Sequence, residues 1–144
     1  MTNENNDYPL SGIRVLDFSR VLAGPFAARM LSDLGADVVK VEPPDGDVTR
    51  YWGKEIAGQS GYFHQQNAGK RNICIDLRAS GARQLILAMV QQADLVIENY
   101  RSDVMPRLGL GYDDLKAANP GIKIGRATSE LQSPCNLVCR LLLE

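Results

Sequence analysis

The sequence predicts an α/β fold in which a parallel sheet is covered by helices on both faces. Short β-branched and apolar runs alternate with segments of helical periodicity along most of the 144 residues. The first strand, helix and strand together occupy residues 13–42, a natural length for one β-α-β unit. Strands that alternate with helices in this way form parallel sheets, so we predict a Rossmann-like domain.

Five apolar runs predict the strands of this sheet. Each is rich in valine, isoleucine or leucine and is bounded by polar residues, glycine or proline. The runs are IRVLDF (13–18), DVVKVE (37–42), NICIDL (72–77), DLVIENY (94–100) and GIKIG (121–125). Proline pairs poorly within a sheet, so Pro43-Pro44 ends the second strand.

Three segments between the strands predict helices. The first begins near Pro25, whose missing N–H is tolerated in a first helical turn, and ends at Gly35. Its predicted apolar face comprises Phe26, Met30, Leu31 and Leu34. Ser80 is predicted to cap the second helix, whose apolar positions are Ala82, Leu85, Ile86, Met89, Val90 and Ala93. A third helix covers 112–118, after a short turn at 103–108.

The remaining segments divide the chain. Residues 1–9 are polar and predict a flexible arm, and residues 10–125 form the α/β domain. Residues 43–69 show no clear period and predict a long excursion of the kind that carries function. Residues 126–144 do not continue the alternation of strands and helices, so we interpret them as an atypical tail. We therefore expect the domain to be incomplete at its carboxyl end.

Composition excludes several classes of protein. The net charge of -1 argues against broad attraction to nucleic acid or an anionic membrane. No apolar run is long enough to span a bilayer, and the first ten residues do not resemble a signal peptide. Three cysteines and one histidine, His64, are too few and too scattered for a zinc site. This sparse cysteine usage favours a reducing, cytoplasmic location.

The turn before the first helix, VLAGPFA (21–27), raises the question of a dinucleotide site. Glu42 follows Gly24 by 18 residues, near the spacing of a ribose-binding acid. The dinucleotide fingerprint needs three glycines at this turn, however, and only one is present. Ala23 and Phe26 also add side chains where a pyrophosphate would approach, so we reject NAD binding.

Three arginines are better candidates for binding phosphate. Ligands of parallel sheets bind at the carboxyl ends of the strands, and Arg78, Arg101 and Arg107 follow predicted strand ends. Guanidinium groups match the geometry of phosphate oxygens. Each arginine alone would be read as a solvated surface charge, but three at one edge predict a ligand with several phosphates.

Three long motifs lie in order over roughly residues 9–125. They are PLSGIRVLDFSRVLAGPFAARMLSDLGADVVKVEPPDGDVTRYWG, NAGKRNICIDLRASGARQLI and ADLVIENYRSDVMPRLGLGYDDLKAANP. In these motifs the chain resembles the family III CoA-transferases, which include formyl-CoA and carnitine CoA-transferases and α-methylacyl-CoA racemase. The resemblance implies that coenzyme A, as an acyl thioester, lies across the carboxyl edge of the sheet. We expect no metal, because the chain has too few cysteine and histidine ligands.

The resemblance also implies which positions contact the cofactor. Pro43 would lie beside the adenosine, Arg78 and Arg107 would meet phosphates, and Arg101 would line the next wall. The full implied set is Val21, Leu22, Ala23, Pro43, Ile75, Asp76, Leu77, Arg78, Asn99, Tyr100, Arg101 and Arg107. VTRYWG (48–53) is closest to relatives that use dicarboxylates. Arg50 would then bind a substrate carboxylate; the alternative is a loop arginine in water.

The implied activity is transfer of CoA from an acyl-CoA to a carboxylic acid, through a mixed anhydride on an aspartate. Family members are dimers and are much longer, and the tail after 125 has no counterpart of their glycine loop or catalytic aspartate. We therefore interpret the chain as the CoA-binding part of a truncated or frame-shifted transferase, with no catalytic residue of its own. The alternatives are an α-methylacyl-CoA racemase and a non-catalytic or inert remnant.

Overall fold

A computed structural model describes residues 8–127 and the backbone of residues 139–140. Strands and helices alternate along most of the described chain. The strands are β1 (Arg14–Asp17), β2 (Asp37–Glu42), β3 (Glu55–Ile56), β4 (Gln59–Ser60), β5 (Arg71–Cys74), β6 (Leu95–Glu98), β7 (Lys123–Ala127) and β8 (Cys139–Arg140). The α-helices are α1 (Ala23–Asp33), α2 (Gly61–Asn67), α3 (Ala82–Val90), α4 (Val104–Arg107) and α5 (Tyr112–Ala118). A 3₁₀ turn covers Val48–Tyr51.

The main sheet has the order β5-β2-β1-β6-β7-β8. The first five of these strands are parallel, and β8 pairs antiparallel with β7 at the edge. The strand order reverses between β1 and β6, which is the switch point where open α/β sheets bind ligands. The predicted α/β fold is therefore confirmed, and all five predicted strands are present.

Alternate residues of the strands pack on opposite faces of the sheet. On one face, Val15 and Val38 pack with Ala28 of α1. On the other face, Leu16 and Val96 pack with Ile86 of α3 and with residues of α5. Helices thus cover both faces, and the apolar core lies in two layers on either side of the strands.

The predicted core face of α1 is confirmed only for Leu31, which packs against the core, and is wrong for the other three residues. Phe26 and Met30 are 46% and 51% exposed, and Leu34 is 44% exposed. The helix instead packs through small residues, because Gly24, Pro25 and Ala28 are its buried positions. Small side chains let the helix axis approach the sheet closely, which turns the large apolar side chains outward. Gly35, at φ +99°, ends the helix as predicted.

Three other local predictions need correction. The excursion over 43–69 contains α2 and the hairpin β3-β4, which its aromatic and polar sequence concealed. The N-cap of α3 is Gly81 at φ +87°, so Ser80 does not cap it. Within the predicted tail, Cys139–Arg140 adds a strand to the sheet, whereas residues 128–138 and 141–144 lie outside the described part of the chain, as do residues 1–7 of the predicted arm.

Candidate functional site

A cavity of about 710 Å³ opens at the carboxyl edge of the sheet, where a ligand of a parallel sheet is expected. Its volume lies within the range of small-molecule sites. Its walls come from the ends of β2, β5 and β6, from the loop after β1 and from α4. The lining residues are Arg20, Val41, Glu42, Pro43, Pro44, Asp45, Asp76, Leu77, Arg78, Tyr100, Val104, Arg107 and Leu108.

Half of the positions implied by the resemblance line this cavity. They are Pro43, Asp76, Leu77, Arg78, Tyr100 and Arg107. The cavity walls do not include the other six, which are Val21, Leu22, Ala23, Ile75, Asn99 and Arg101. Arg20 also lines the cavity. It was not predicted from the sequence, because its loop carries no phosphate-binding motif.

The three predicted phosphate arginines do not form one cluster. Arg78 and Arg107 line the cavity, but Arg101 lines a neighbouring cavity of about 420 Å³ beside α5 and β7. The Arg101 side chain is 84% exposed and lies 3.3 Å from Asp103. The Arg107 Nη2 atom is 3.0 Å from the same carboxylate. Both arginines are thus exposed groups on α4 and the turn before it, and Asp103 lies between their charges.

The loop that follows β1 is held by buried polar side chains. The Ser19 N–H donates to Asp17 Oδ1 at 2.9 Å, and the Ser19 carbonyl accepts from Lys40 Nζ at 2.7 Å. Asn99 donates to the Arg20 carbonyl at 2.7 Å, and its Oδ1 accepts from the Arg20 N–H at 2.8 Å. Asn99 therefore fixes the backbone of this loop, rather than forming a wall of the cavity.

The Gly24-Pro25 turn brings α1 against the end of β1. A Cβ atom at Gly24 would lie 2.2 Å from the Ser19 Cβ, so no larger residue fits without a shift of the helix. The single glycine of this turn is explained by contact within the protein, and it requires no pyrophosphate. The helix N-cap residue, Leu22, makes no side-chain capping hydrogen bond.

Val21 adopts a left-handed backbone conformation with φ +72°. This conformation is unfavourable for a β-branched residue, and such outliers persist only where the surroundings hold them. The Val21 N–H donates to the buried carboxylate of Asp47 at 3.1 Å. The strained position lies between the cavity residue Arg20 and the start of α1.

Asp47 is fully buried and has a donor for each carboxylate oxygen. Its Oδ1 accepts from the Thr49 N–H and hydroxyl, while its Oδ2 accepts from Val21 and lies 3.3 Å from Lys40 Nζ. Burial alone would raise the pKa of Asp47, but these hydrogen bonds and the Lys40 charge together hold the pKa below its ordinary value. Asp47 is therefore a carboxylate with a structural role.

Glu42, at the end of β2, is held in the same way. Arg50 donates to both of its oxygens at 2.7 Å, the Asp47 N–H donates at 2.8 Å, and Asn72 also donates to it. Burial would raise the pKa of Glu42, yet the Arg50 hydrogen bond and the further donors lower it below its ordinary value. Glu42 is thus neither a ribose-binding acid exposed for a dinucleotide nor a free catalytic acid.

This arrangement changes the interpretation of Arg50. The sequence allowed two interpretations of this residue, a ligand of a substrate carboxylate or a loop arginine in water. Arg50 instead binds a carboxylate of its own chain, and its guanidinium lies 3.8 Å above the ring of Phe63. Its side chain is 40% exposed, so one edge still faces solvent.

A second buried ion pair joins Asp17 and Lys70. Lys70 Nζ donates to Asp17 Oδ2 at 2.8 Å, to the Pro25 carbonyl at 2.8 Å and to Asn67 Oδ1 at 2.9 Å. Its three protons are therefore all used, which is the condition under which a buried ammonium group is tolerated. Burial still lowers the pKa of Lys70, because the Asp17 charge offsets it only in part. Sequence reasoning missed this pair, since its members are 53 residues apart.

Comparison with known proteins shows which family the chain belongs to. The profile of CoA-transferase family III matches residues 10–129. This chain belongs to CoA-transferase family III. The resemblance on which the cofactor positions were based is thus confirmed for the described domain.

Named family III proteins with similar sequences are transferases. The succinate–glutarate CoA-transferase of Agrobacterium fabrum is 45% identical over 124 residues, which cover 81% of this chain and 31% of that protein. The acetyl-CoA:oxalate CoA-transferase of Acetobacter aceti is 45% identical over 113 residues, covering 78% and 29%. This chain therefore spans about a third of the length of these relatives.

A solved family III structure has the same fold. The crystal structure of a CAIB/BAIF family protein from Brucella suis superposes with a TM-score of 0.78 at 44% identity, covering 83% of this chain and 33% of that one. Within residues 8–127, no three histidine, cysteine or acidic side chains come together as a metal site requires. No helix in that part of the chain has the length and apolar character needed to cross a membrane.

Proposed function

We propose that this chain is the CoA-binding part of an enzyme that transfers CoA from an acyl-CoA to a carboxylic acid. The cavity at the carboxyl edge supports the proposal most directly, because it combines three arginines, Arg20, Arg78 and Arg107, with apolar walls. Guanidinium groups suit the phosphates of CoA, and the apolar residues suit its adenosine and pantetheine parts. Family membership supplies the reason to consider CoA ahead of other phosphorylated ligands.

The cofactor contacts are proposed in two groups. The first comprises the cavity residues Pro43, Asp76, Leu77, Arg78, Tyr100 and Arg107, with Arg20 added. The second comprises Val21, Leu22, Ala23, Ile75, Asn99 and Arg101, which lie outside the cavity walls and rest on the resemblance alone. The one proposed substrate contact, Arg50, has weaker support than the cofactor contacts, because Glu42 already occupies two of its donors.

The acceptor is proposed to be a dicarboxylate. The support comes from the names of two relatives, which act on succinate, glutarate and oxalate. These names favour transfer over the racemase alternative. Three further expectations stay predictions: that residues 10–125 form one domain, that the protein is a homodimer and that it is cytoplasmic.

We further propose that the chain alone performs no transfer. The buried acids Asp17, Glu42, Asp47 and Glu98 each pair with a cation of the chain, so none is available to attack a thioester. The expected outcome with succinyl-CoA and a panel of dicarboxylic acids is no new thioester by mass spectrometry. Transfer that is abolished by Asp76→Asn or by Glu98→Gln would show that a described acid is a working nucleophile.

Calorimetry tests the binding proposal directly. The chain is titrated with CoA, with 3′-dephospho-CoA and with pantetheine, which carries no phosphate. We expect affinity to fall in that order, because each step removes groups that the cavity arginines bind. Equal affinity for CoA and pantetheine would contradict phosphate recognition, and no binding of any of the three would favour the remnant alternative.

A further inference from the structure

The strained backbone of Val21 is hydrogen-bonded to the buried carboxylate of Asp47. Val21 is one of two described non-glycine residues with positive φ, the other being Ala57 at φ +53° in the β3-β4 turn. The two positions differ in their surroundings. Ala57 lies in an exposed turn, whereas the Val21 N–H is bound by a fully buried side chain that lies 26 residues further along the chain.

The surroundings of Asp47 are built to keep its carboxylate in place. Thr49 fixes Oδ1 with two hydrogen bonds, of 3.1 Å and 2.9 Å. Lys40 lies 3.3 Å from Oδ2 and donates to the Ser19 carbonyl at 2.7 Å, so one ammonium group joins the acid to the loop that carries Val21. A left-handed valine would otherwise relax toward negative φ, because its branched Cβ crowds the backbone there.

We propose that Asp47 is a positioning residue, which holds Val21 in the left-handed conformation and so presets the loop of residues 19–22 for the ligand of the carboxyl edge. This inference rests on the proposed function for the identity of that ligand, CoA. A loop fixed before binding loses no further conformational entropy when the ligand arrives, which increases affinity. Arg20, a cavity residue, precedes Val21 directly, so a change of φ at Val21 redirects the chain next to the cavity wall.

A rescue experiment separates positioning from general stability. Asp47→Asn keeps the shape of the side chain but loses one acceptor, and we expect it to weaken CoA binding about tenfold. Adding Val21→Gly to that variant should restore most of the affinity, because glycine adopts positive φ without the help of the carboxylate. Adding Ala57→Gly instead relieves a positive φ elsewhere, and we expect it to leave the affinity of Asp47→Asn unchanged.

The controls decide between the outcomes. Equal rescue by Val21→Gly and Ala57→Gly, or by neither, would overturn the proposal, because Asp47 would then act only through stability of the whole domain. If Asp47→Asn does not fold, Thr49→Val loosens the same carboxylate by removing one donor, and the same rescue pattern is expected. Circular dichroism on each variant confirms that the comparison is made between folded proteins.

A structural readout keeps the inference separate from the proposed function. If the unaltered chain binds no CoA, the proposed function fails, and a crystal structure of Asp47→Asn or Thr49→Val still tests the positioning role. Val21 at negative φ in that structure would support the role of Asp47. Val21 unchanged near φ +72° would overturn it, because the loop would then hold its conformation without the full set of bonds to the carboxylate.

Discussion

The two sides of the carboxyl edge differ in how far their charged side chains are exposed to water. On the side of β1 and β2, the ion pairs Asp17–Lys70 and Lys40–Asp47 have side chains that are at most 1% exposed. On the side of α4, the Arg101 and Arg107 side chains are 84% and 70% exposed, and they share the carboxylate of Asp103. The first side is fixed by buried charges, and the second presents charges to water.

This difference separates stability from recognition. Buried charges must keep their partners, because an ion left alone in the interior is costly, so the first side cannot rearrange to meet a ligand. Exposed arginines lose little when they exchange one anionic partner for another. We therefore expect substitutions on the β1-β2 side to act mainly on folding and substitutions on the α4 side to act on ligand affinity. Asp47 is the exception on the first side, because its carboxylate also binds the Val21 N–H of the loop beside the cavity.

The largest effect is expected at Asp17. Asp17→Asn leaves the Lys70 ammonium group buried without its counter-ion, and we expect the free energy of unfolding to fall by about 3–5 kcal/mol. Urea denaturation followed by circular dichroism measures this loss. Asp37→Asn is the matched control, since Asp37 lies on the neighbouring strand in the exposed pair with Arg71. It should lose less than about 1 kcal/mol, and equal losses would contradict the distinction between the two kinds of pair.

A smaller effect on a different quantity is expected at Arg107. Arg107→Ala removes a guanidinium group from the cavity wall, and we expect CoA binding to weaken by about 1–3 kcal/mol with unfolding little changed. Arg101→Ala should weaken binding less, because Arg101 lies outside that wall. Calorimetry measures the CoA affinity of both variants. Arg71→Ala is the control, because Arg71 lies at the start of β5 and the cavity lies beyond the other end of that strand. A larger loss for Arg101→Ala than for Arg107→Ala would place the ligand in the neighbouring cavity instead.

The sequence predicted the sheet well because its signals are local. Buried strands need continuous apolar runs, so DVVKVE predicted β2 with the bounds that the structure has. Most of the face of α1 was predicted wrongly, although Leu31 does pack against the core. The rule that large apolar residues face the core assumes a helix at an ordinary distance from the sheet. Gly24, Pro25 and Ala28 instead let α1 lie close to the sheet, and Phe26 and Met30 are left exposed.

The candidate site was only partly predictable from the sequence. Arg78 and Arg107 were predicted because they follow strand ends, whereas Pro43 came from motif resemblance alone. The pairs Asp17–Lys70 and Lys40–Asp47 could not be predicted, because they form only when distant segments meet. The same holds for Asn99 and Arg20, which are 79 residues apart and hydrogen-bonded.

The acid dependence of stability should reveal the buried carboxylates on the β2 side. The folded-state pKa of Glu42 is lowered, so its stabilisation is present above the ordinary value of 4.5 and is lost as the pH falls below it. Glu42→Gln should therefore flatten the decline of unfolding free energy in that window. Denaturant titrations between about pH 3 and pH 6 provide the measurement.

Glu98 supplies a control of opposite sign. Burial raises the pKa of Glu98 above 4.5, so its ionisation costs stability as the pH rises through 4.5 toward the raised value. Glu98→Gln should therefore remove a loss of unfolding free energy that occurs above pH 4.5. Glu42→Gln should instead change the unfolding free energy below pH 4.5. Identical pH profiles for the two variants would contradict the assignment of these shifts.

The smallest effect is expected at Asp103, where recognition and pairing compete. Its carboxylate lies 3.0 Å from Arg107 Nη2 and 3.3 Å from Arg101 Nε, and all three side chains are substantially exposed. Asp103→Asn releases Arg107 from an internal anion, so we expect CoA to bind about twofold more tightly, with the gain shrinking as salt rises. Asp113→Asn makes the same change in net charge on α5, away from the cavity wall, and should give a smaller gain. Equal gains from both variants would mean that only the overall charge matters, whereas a weaker affinity for Asp103→Asn would mean that Asp103 holds Arg107 in the orientation that the phosphate needs.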